Sequence, residues 1–246
     1  MNYIGISSGF HDASVSVVKD GQILFAGHSE RYSRNKNDKN LDVDLIKDAL
    51  SYIDGPYELH YYEKPWLKTL RQLYSGERTH FSNIFVKNVI GPNFYKMLGG
   101  KTIHTHGHHH SHAAAGFQTS PFQEATIVII DAIGEFDTVS IWSAYYDNNF
   151  KAVYKKLFSK KYPNSIGLFY SAITQRIGLR PNDEEYITMG MSAYGKPLYT
   201  QNVINEVFDN FNNFSFKKNL HIGFDEDFLK DKSDVDIASK IGRAHV

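Results

Sequence analysis

Runs of β-branched and apolar residues at positions 3–7, 14–18 and 22–27, with Lys19-Asp20-Gly21 as a tight turn between the second and third, predict an opening antiparallel β-meander. Leu41, Leu45, Ile46, Ala49 and Leu50 then recur at helical spacing until Asp54-Gly55-Pro56 stops the helix. Residues 58–62 read as a strand, and residues 66–73 and 83–89 as helices. A short strand over 102–104 leads into a histidine tract, and the small residues of His112-Ala113-Ala114-Ala115 favour a helix. Two further strands follow, 125–131 and 138–146, joined by an acidic loop, Ala132-Ile133-Gly134-Glu135-Phe136-Asp137. Residues 153–158 extend this second meander, and 165–177 place Ile166, Phe169, Tyr170 and Ile173 on one helical face. By composition, the stretch from Asn182 to Gly195 is a helix cap and a turn. With no internal repeat and no low-complexity linker, the pattern describes one α/β unit that contains an antiparallel meander.

Composition narrows the function classes. The 27 Lys+Arg balance 27 Asp+Glu in 246 residues, which argues against recruitment to nucleic acid or an anionic membrane by net charge. The apolar share of 41% and charged share of 22% are those of a folded soluble protein, with length for one large domain or two small ones. The absence of cysteine removes disulfides, thiolate metal sites and a Cys nucleophile. The N-terminus carries no basic, apolar targeting segment, and no stretch approaches the roughly 18 apolar residues of a membrane span. A cytoplasmic protein is the expectation.

Histidine is the unusual count: of twelve, six (His104, His106, His108, His109, His110, His112) fall within nine residues. His108 and His112, four apart, share a helical face and could hold one metal ion. Asp131 ends a strand expected to be buried, where a carboxylate needs a partner. Two histidines and a carboxylate suit Fe(II), with Zn²⁺ or Mn²⁺ also acceptable. The spacing equally fits a solvated His-rich loop or a helix cap. In the first hairpin, the small residues around Ser7, Ser8 and Gly9 let backbone N–H groups approach a phosphate, and the two hydroxyls add contacts. His11 is a candidate general base, although His11 and Asp12 could simply stabilise the turn. Arg34 and Lys36, in Glu30-Arg31-Tyr32-Ser33-Arg34-Asn35-Lys36, form a candidate clamp for phosphate or carbamoyl oxygens, or a solvated loop of mixed charge.

In their order, these segments resemble the N-terminal region of the NodU/CmcH-type O-carbamoyltransferases. The resemblance rests on Phe10-His11-Asp12-Ala13, Glu30 to Lys36, the His108-His109-His110-Ser111-His112-Ala113 block, Asp131 with Gly134-Glu135 and Thr138, Ser165 to Tyr170, and Glu185 to Gly195, across residues 3–240. It implies an actin-like ATPase (ribonuclease H-like) lobe, with the first hairpin and the loop after Asp131 as its two phosphate-binding elements. A C-terminal YrdC-like domain would make carbamoyl adenylate from carbamoyl phosphate and ATP, and this lobe would pass the carbamoyl group to a hydroxyl of a small-molecule acceptor. By position, His108, His112 and Asp131 would hold iron, His11 would be the base, and Lys36 would hold carbamoyl or phosphate oxygens. Ser7, Ser8, Asp12, Arg34, Gly134 and Glu135 would line the nucleotide and carbamoyl site.

Two positions depart from the family pattern: Ala132 stands where Gly is usual, and Ile187 where Lys is frequent. The family's second lobe and YrdC-like domain are not in the chain. The final Ile241-Gly242-Arg243-Ala244-His245-Val246 is what ATC GGA AGA GCA CAC GTC encodes, a string resembling a sequencing adapter. The expectation is therefore an N-terminal lobe over 1–240, truncated and without turnover alone, followed by a non-native tail over 241–246; a homodimer is allowed. Competing readings are a non-catalytic metal or nucleotide-binding module and an actin-like sugar kinase relative.

Overall fold

The computed structural model describes residues 1–242, with the backbone alone for 240–242, so residues 243–246 of the expected tail lie outside the described residues. The chain divides into two compact units, Met1–Ala115 and Gly116–Val246.

The first unit is built on a five-stranded sheet. Strands β1 (Asn2–Ser7), β2 (Ser14–Lys19) and β3 (Gln22–His28) form the expected antiparallel meander. Strands β4 (Tyr57–Tyr61) and β5 (Ile103–Thr105) add on the other side of β1, each parallel to its neighbour, giving the order β3-β2-β1-β4-β5. A short α1 (Ser29–Ser33) follows β3, and α2 (Val43–Ser51) covers the sheet. Asp42 caps α2 through its carboxylate, which accepts from Asp44 N and Leu45 N, a contact typically worth about 1 kcal/mol. The period-2 strands and the helical stripe bury Ile4, Ile6, Val15, Val17, Leu59 and Tyr61 together with Leu45, Ile46 and Ala49. Each large apolar side chain buried this way contributes roughly 1.5–3 kcal/mol. Helix α3 (Pro65–Tyr74) starts on Pro65, whose missing N–H costs nothing in the first turn. The helix expected over 83–89 is instead a 3-10 turn, Phe81–Ile84, and a separate α4 (Val86–Ile90), because Phe85 between them is extended. Helix α5 (Pro92–Met97), too short to show a period, was not anticipated. Helix α6 (His108–Gln118) starts five residues before the alanines that suggested it.

The second unit carries an antiparallel meander of β6 (Glu124–Gly134), β7 (Asp137–Tyr146) and β8 (Ala152–Lys161). The acidic loop expected over 132–137 is a correction: β6 continues to Gly134, which pairs with Asp137 across a tight turn at Glu135-Phe136. A register irregularity between Ile130 and Gly134 absorbs the broken apolar alternation that made these residues look like loop. Helix α7 (Ile166–Arg176), capped by the Ser165 hydroxyl accepting from Leu168 N, packs on β6 and centres a core of Leu168, Phe169, Ala172 and Ile173. The stretch expected as a cap and turn is mostly helix, α8 (Glu185–Met191), whose buried Thr188 hydrogen-bonds Thr174 of α7. Further on lie α9 (Thr200–Val207), the two-stranded β9 (Phe208–Asn210) with β10 (Ser215–Phe216), a 3-10 turn Leu220–Ile222, and α10 (Asp234–Gly242). Among the described residues no helix is long and apolar enough to cross a membrane.

Candidate functional site

Three parallel strands, β1, β4 and β5, end at the same edge of the first sheet, and the expected chemistry of that unit sits just beyond them. β1 ends on Ser7, half-buried, and is followed by Ser8, buried at 2% exposure. The chain then turns through Gly9 at φ +92°, where a Cβ would stand 2.7 Å from a Val89 methyl. That closeness and the positive φ make glycine the residue for this turn. Tyr61, at the end of β4, donates its hydroxyl to Ser8 O at 2.6 Å and so ties two strand ends together. Burial pushes this phenol well above its ordinary pKa. The turn is also joined to the segment after α1, with Gly9 N donating to Lys39 O and Ala13 N to Asp38 O.

Within this frame His11 is exposed, and its Nδ1 lies 2.7 Å from Asp12 Oδ2. The carboxylate fixes the ring and leaves Nε2 to exchange a proton. Arg34, in the left-handed conformation at φ +61°, ends α1, and it and Lys36 project from an exposed loop. The Asp38 carboxyl is held below its ordinary pKa, chiefly by the backbone N–H of Asn40 and then by the Ser33 hydroxyl.

The histidine pair follows β5. His108 and His112 project from the same face of α6, with their Nε2 atoms 3.1 Å apart. Two nitrogens each about 2.0–2.1 Å from one ion lie about 3 Å apart when they subtend an angle near 100°, so the pair has the bite of a metal chelate. A residue that the sequence did not single out stands behind it. Glu63, just past β4 and 2% exposed, places Oε2 3.5 Å from His108 Nδ1 and Oε1 2.8 Å from Lys68 Nζ. Burial would raise the Glu63 carboxyl, but the His108 hydrogen bond and the Lys68 charge outweigh it and hold it below the ordinary carboxylate value. A carboxylate on Nδ1 directs the Nε2 lone pair outward, the orientation metal-binding histidines need. Ser111 anchors the same helix by donating to Tyr62 O at 2.7 Å.

Two further histidines of the tract, His104 and His106, pack against His60 of β4. His60 Nδ1 and His106 Nε2 are 2.9 Å apart, and His104 stacks on His60 at 5.2 Å. Burial first, then neighbouring imidazoles, lowers the pKa of both His60 and His106.

In the second unit Asp131 lies in the irregular part of β6, its Oδ1 accepting from Ala132 N at 2.7 Å. Ser165, the cap of α7, donates to Ala132 O at 2.7 Å. A Cβ on Gly167 would come within 2.6 Å of Ala132 Cα and N, so the glycine is what lets the first turn of α7 press against the Asp131–Ala132 backbone. Gly134 and Glu135 form the hairpin turn, Glu135 at φ +61° and 9% exposed. Thus His11, Asp12, Ser7 and Ser8 share one strand edge with the loop of Arg34 and Lys36, while Asp131, Gly134 and Glu135 share one hairpin.

The family model described as carbamoyltransferase N-terminus matches residues 57–236. The Synechocystis protein sll1178 is 30% identical over 242 residues, covering 88% of this chain and 38% of the relative. Methanocaldococcus jannaschii MJ1051 is 28% identical over 78% of this chain and 33% of its own length. The nodulation protein NolNO of Sinorhizobium fredii is 23% identical over 84% of this chain and 31% of its own length. The chain therefore spans about a third of the curated relatives it matches.

Proposed function

Because the chain belongs to the carbamoyltransferase N-terminus family, we propose that it is the acceptor-side lobe of an O-carbamoyltransferase, which moves a carbamoyl group from carbamoyl adenylate to a hydroxyl of a small-molecule acceptor. The observation that carries this reading is the joint placement of the candidate base His11 and the His108–His112 pair beyond one edge of the first sheet. The order β3-β2-β1-β4-β5, antiparallel on one side of β1 and parallel on the other, supports an actin-like lobe.

His11, held at Nδ1 by Asp12, takes the acceptor hydroxyl proton on Nε2 as the alcohol oxygen attacks the carbamoyl carbon and the adenylate leaves. Lys36 and Arg34 hold the donor's oxygens, the hydroxyls of Ser7 and Ser8 and the backbone around them face its phosphate, and the turn at Gly134-Glu135 serves the nucleotide. His108, His112 and Asp131 are the ligands of a transition metal, iron by preference, with Glu63 orienting His108. Bound there, the metal supplies a Lewis acid that polarises an oxygen of the reacting groups. The activated donor is made by a YrdC-like domain in the longer protein.

The test is transfer of label from carbamoyl phosphate, with ATP and Fe(II), to a panel of hydroxylated acceptors by that longer protein. The reading expects labelled ester-type product, a fall of about 10²–10⁴-fold in His11→Ala and loss in His112→Ala. Undiminished transfer in both variants would refute it.

A further inference from the structure

A second group of metal-ligand side chains lies entirely within the first unit, and the roles above leave two of its three members unexplained. One ligand atom from each of Asp12, His28 and Glu30 falls within 4.8 Å of the others, and all three side chains are half-buried. We propose that these residues form a second divalent transition-metal site, independent of the histidine pair.

The fold builds the group from two segments. Strand β2 pairs with β3 so that Ser14 faces His28, which puts Asp12, two residues before Ser14, beside the end of β3. Ser29 N donates to Ala13 O at 2.7 Å and locks the two segments together, and α1 then brings Glu30 alongside. Asp12 adopts φ +52°, in the left-handed region that a non-glycine residue rarely visits. Ser29, between two of the ligands, is fully buried with its hydroxyl unpartnered, as is the Ser8 hydroxyl at the start of the same turn.

The carboxylates already have outer partners. Asp12 Oδ2 meets His11 Nδ1 at 2.7 Å, and Glu30 Oε2 accepts from Asn37 N at 3.1 Å. Each therefore has one oxygen steadied by a nitrogen outside the set and a second oxygen to offer, the support that ligating carboxylates generally receive. Two ligands about 2.1 Å from one ion are at most about 4.2 Å apart, so a set already within 4.8 Å closes on an ion through small side-chain rotations. Two carboxylates also crowd their charge at this spot, which a divalent cation relieves. One imidazole with two carboxylates selects Mn²⁺, Fe²⁺ or Zn²⁺ over Mg²⁺, whose preferred ligands are all oxygen.

Manganese titration followed by electron paramagnetic resonance tests this on the whole chain. His112→Ala, at an exposed position, first breaks the histidine-pair site and leaves the second one intact. The proposal expects this variant still to bind one Mn²⁺ per chain, and expects that binding to weaken at least tenfold in both His112→Ala/His28→Gln and His112→Ala/Glu30→Gln. Glu30→Gln keeps the acceptor for Asn37 and hence the fold, so its result stands if the His28 variant is unstable. A His112→Ala protein that binds no Mn²⁺, or one whose binding survives Glu30→Gln, overturns the second site without touching the first.

Discussion

Glu63 shows how a single buried charge can prepare a site. Its carboxylate is nearly inaccessible, and it persists in ionised form because His108 and Lys68 sit on either side of it. Removing one member of such a group leaves the rest poorly paired. Glu63→Gln keeps the shape but no longer fixes the Nδ1–H tautomer of His108, so metal affinity should fall about 10–100-fold with little change in fold, as measured by calorimetric Fe(II) titration under anaerobic conditions. Because the folded-state pKa of Glu63 lies below the ordinary carboxylate value, its stabilisation is present above the unfolded pKa and is lost as pH falls through the folded one. No local pattern in the sequence marks this residue: it follows a strand by two positions, and only the parallel pairing of β4 with β5 brings it to the histidine helix. His108 and His112, by contrast, were legible, since a spacing of four on a helix defines a shared face whatever surrounds it.

At the scale of elements, the strands and capped helices followed from their own residues, while the hairpin of β6 and β7 did not. Residues 131–133 break the alternation expected of a strand because they sit in a bulge, and the tight turn holds Glu135 at a positive φ that composition does not announce. The helix α7 meets this bulge through Gly167. In Gly167→Ala the added methyl would overlap the Ala132 backbone, at a cost of about 1–3 kcal/mol, so thermal unfolding should shift down by roughly 2–12 °C. The same variant should weaken metal binding if Asp131 is a ligand, because the bulge that carries it would be displaced.

The pairing of β4 and β5 carries a pH signature of its own. His60 and His106 titrate below the ordinary histidine value because burial and neighbouring imidazoles disfavour their charged forms. Their contribution to stability is therefore complete above about pH 6.5, the unfolded value, and is lost as pH falls from there through the folded values. Thermal melts should show the wild type losing several degrees between pH 7 and pH 5 relative to a His60→Gln/His106→Gln variant. Parallel pH profiles for the two proteins would contradict this.

At the scale of the molecule, the sequence carried the mixed α/β class and the family, because both depend on ordered segments that can be read without three-dimensional contacts. The division into two units, with its boundary inside α6, was not legible: the helix runs through the boundary without a proline, a glycine-rich linker or a change in composition. The chain spans about a third of the length of its curated relatives. What this chain must supply by itself is the histidine pair proposed to bind the metal.

Anaerobic Fe(II) titration of the whole chain, comparing the wild type with His108→Ala and His112→Ala, tests that requirement most directly. The account predicts that each substitution removes the same single binding event from the wild-type isotherm while the far-ultraviolet dichroism stays unchanged. Isotherms of equal stoichiometry and affinity in all three folded proteins would contradict it.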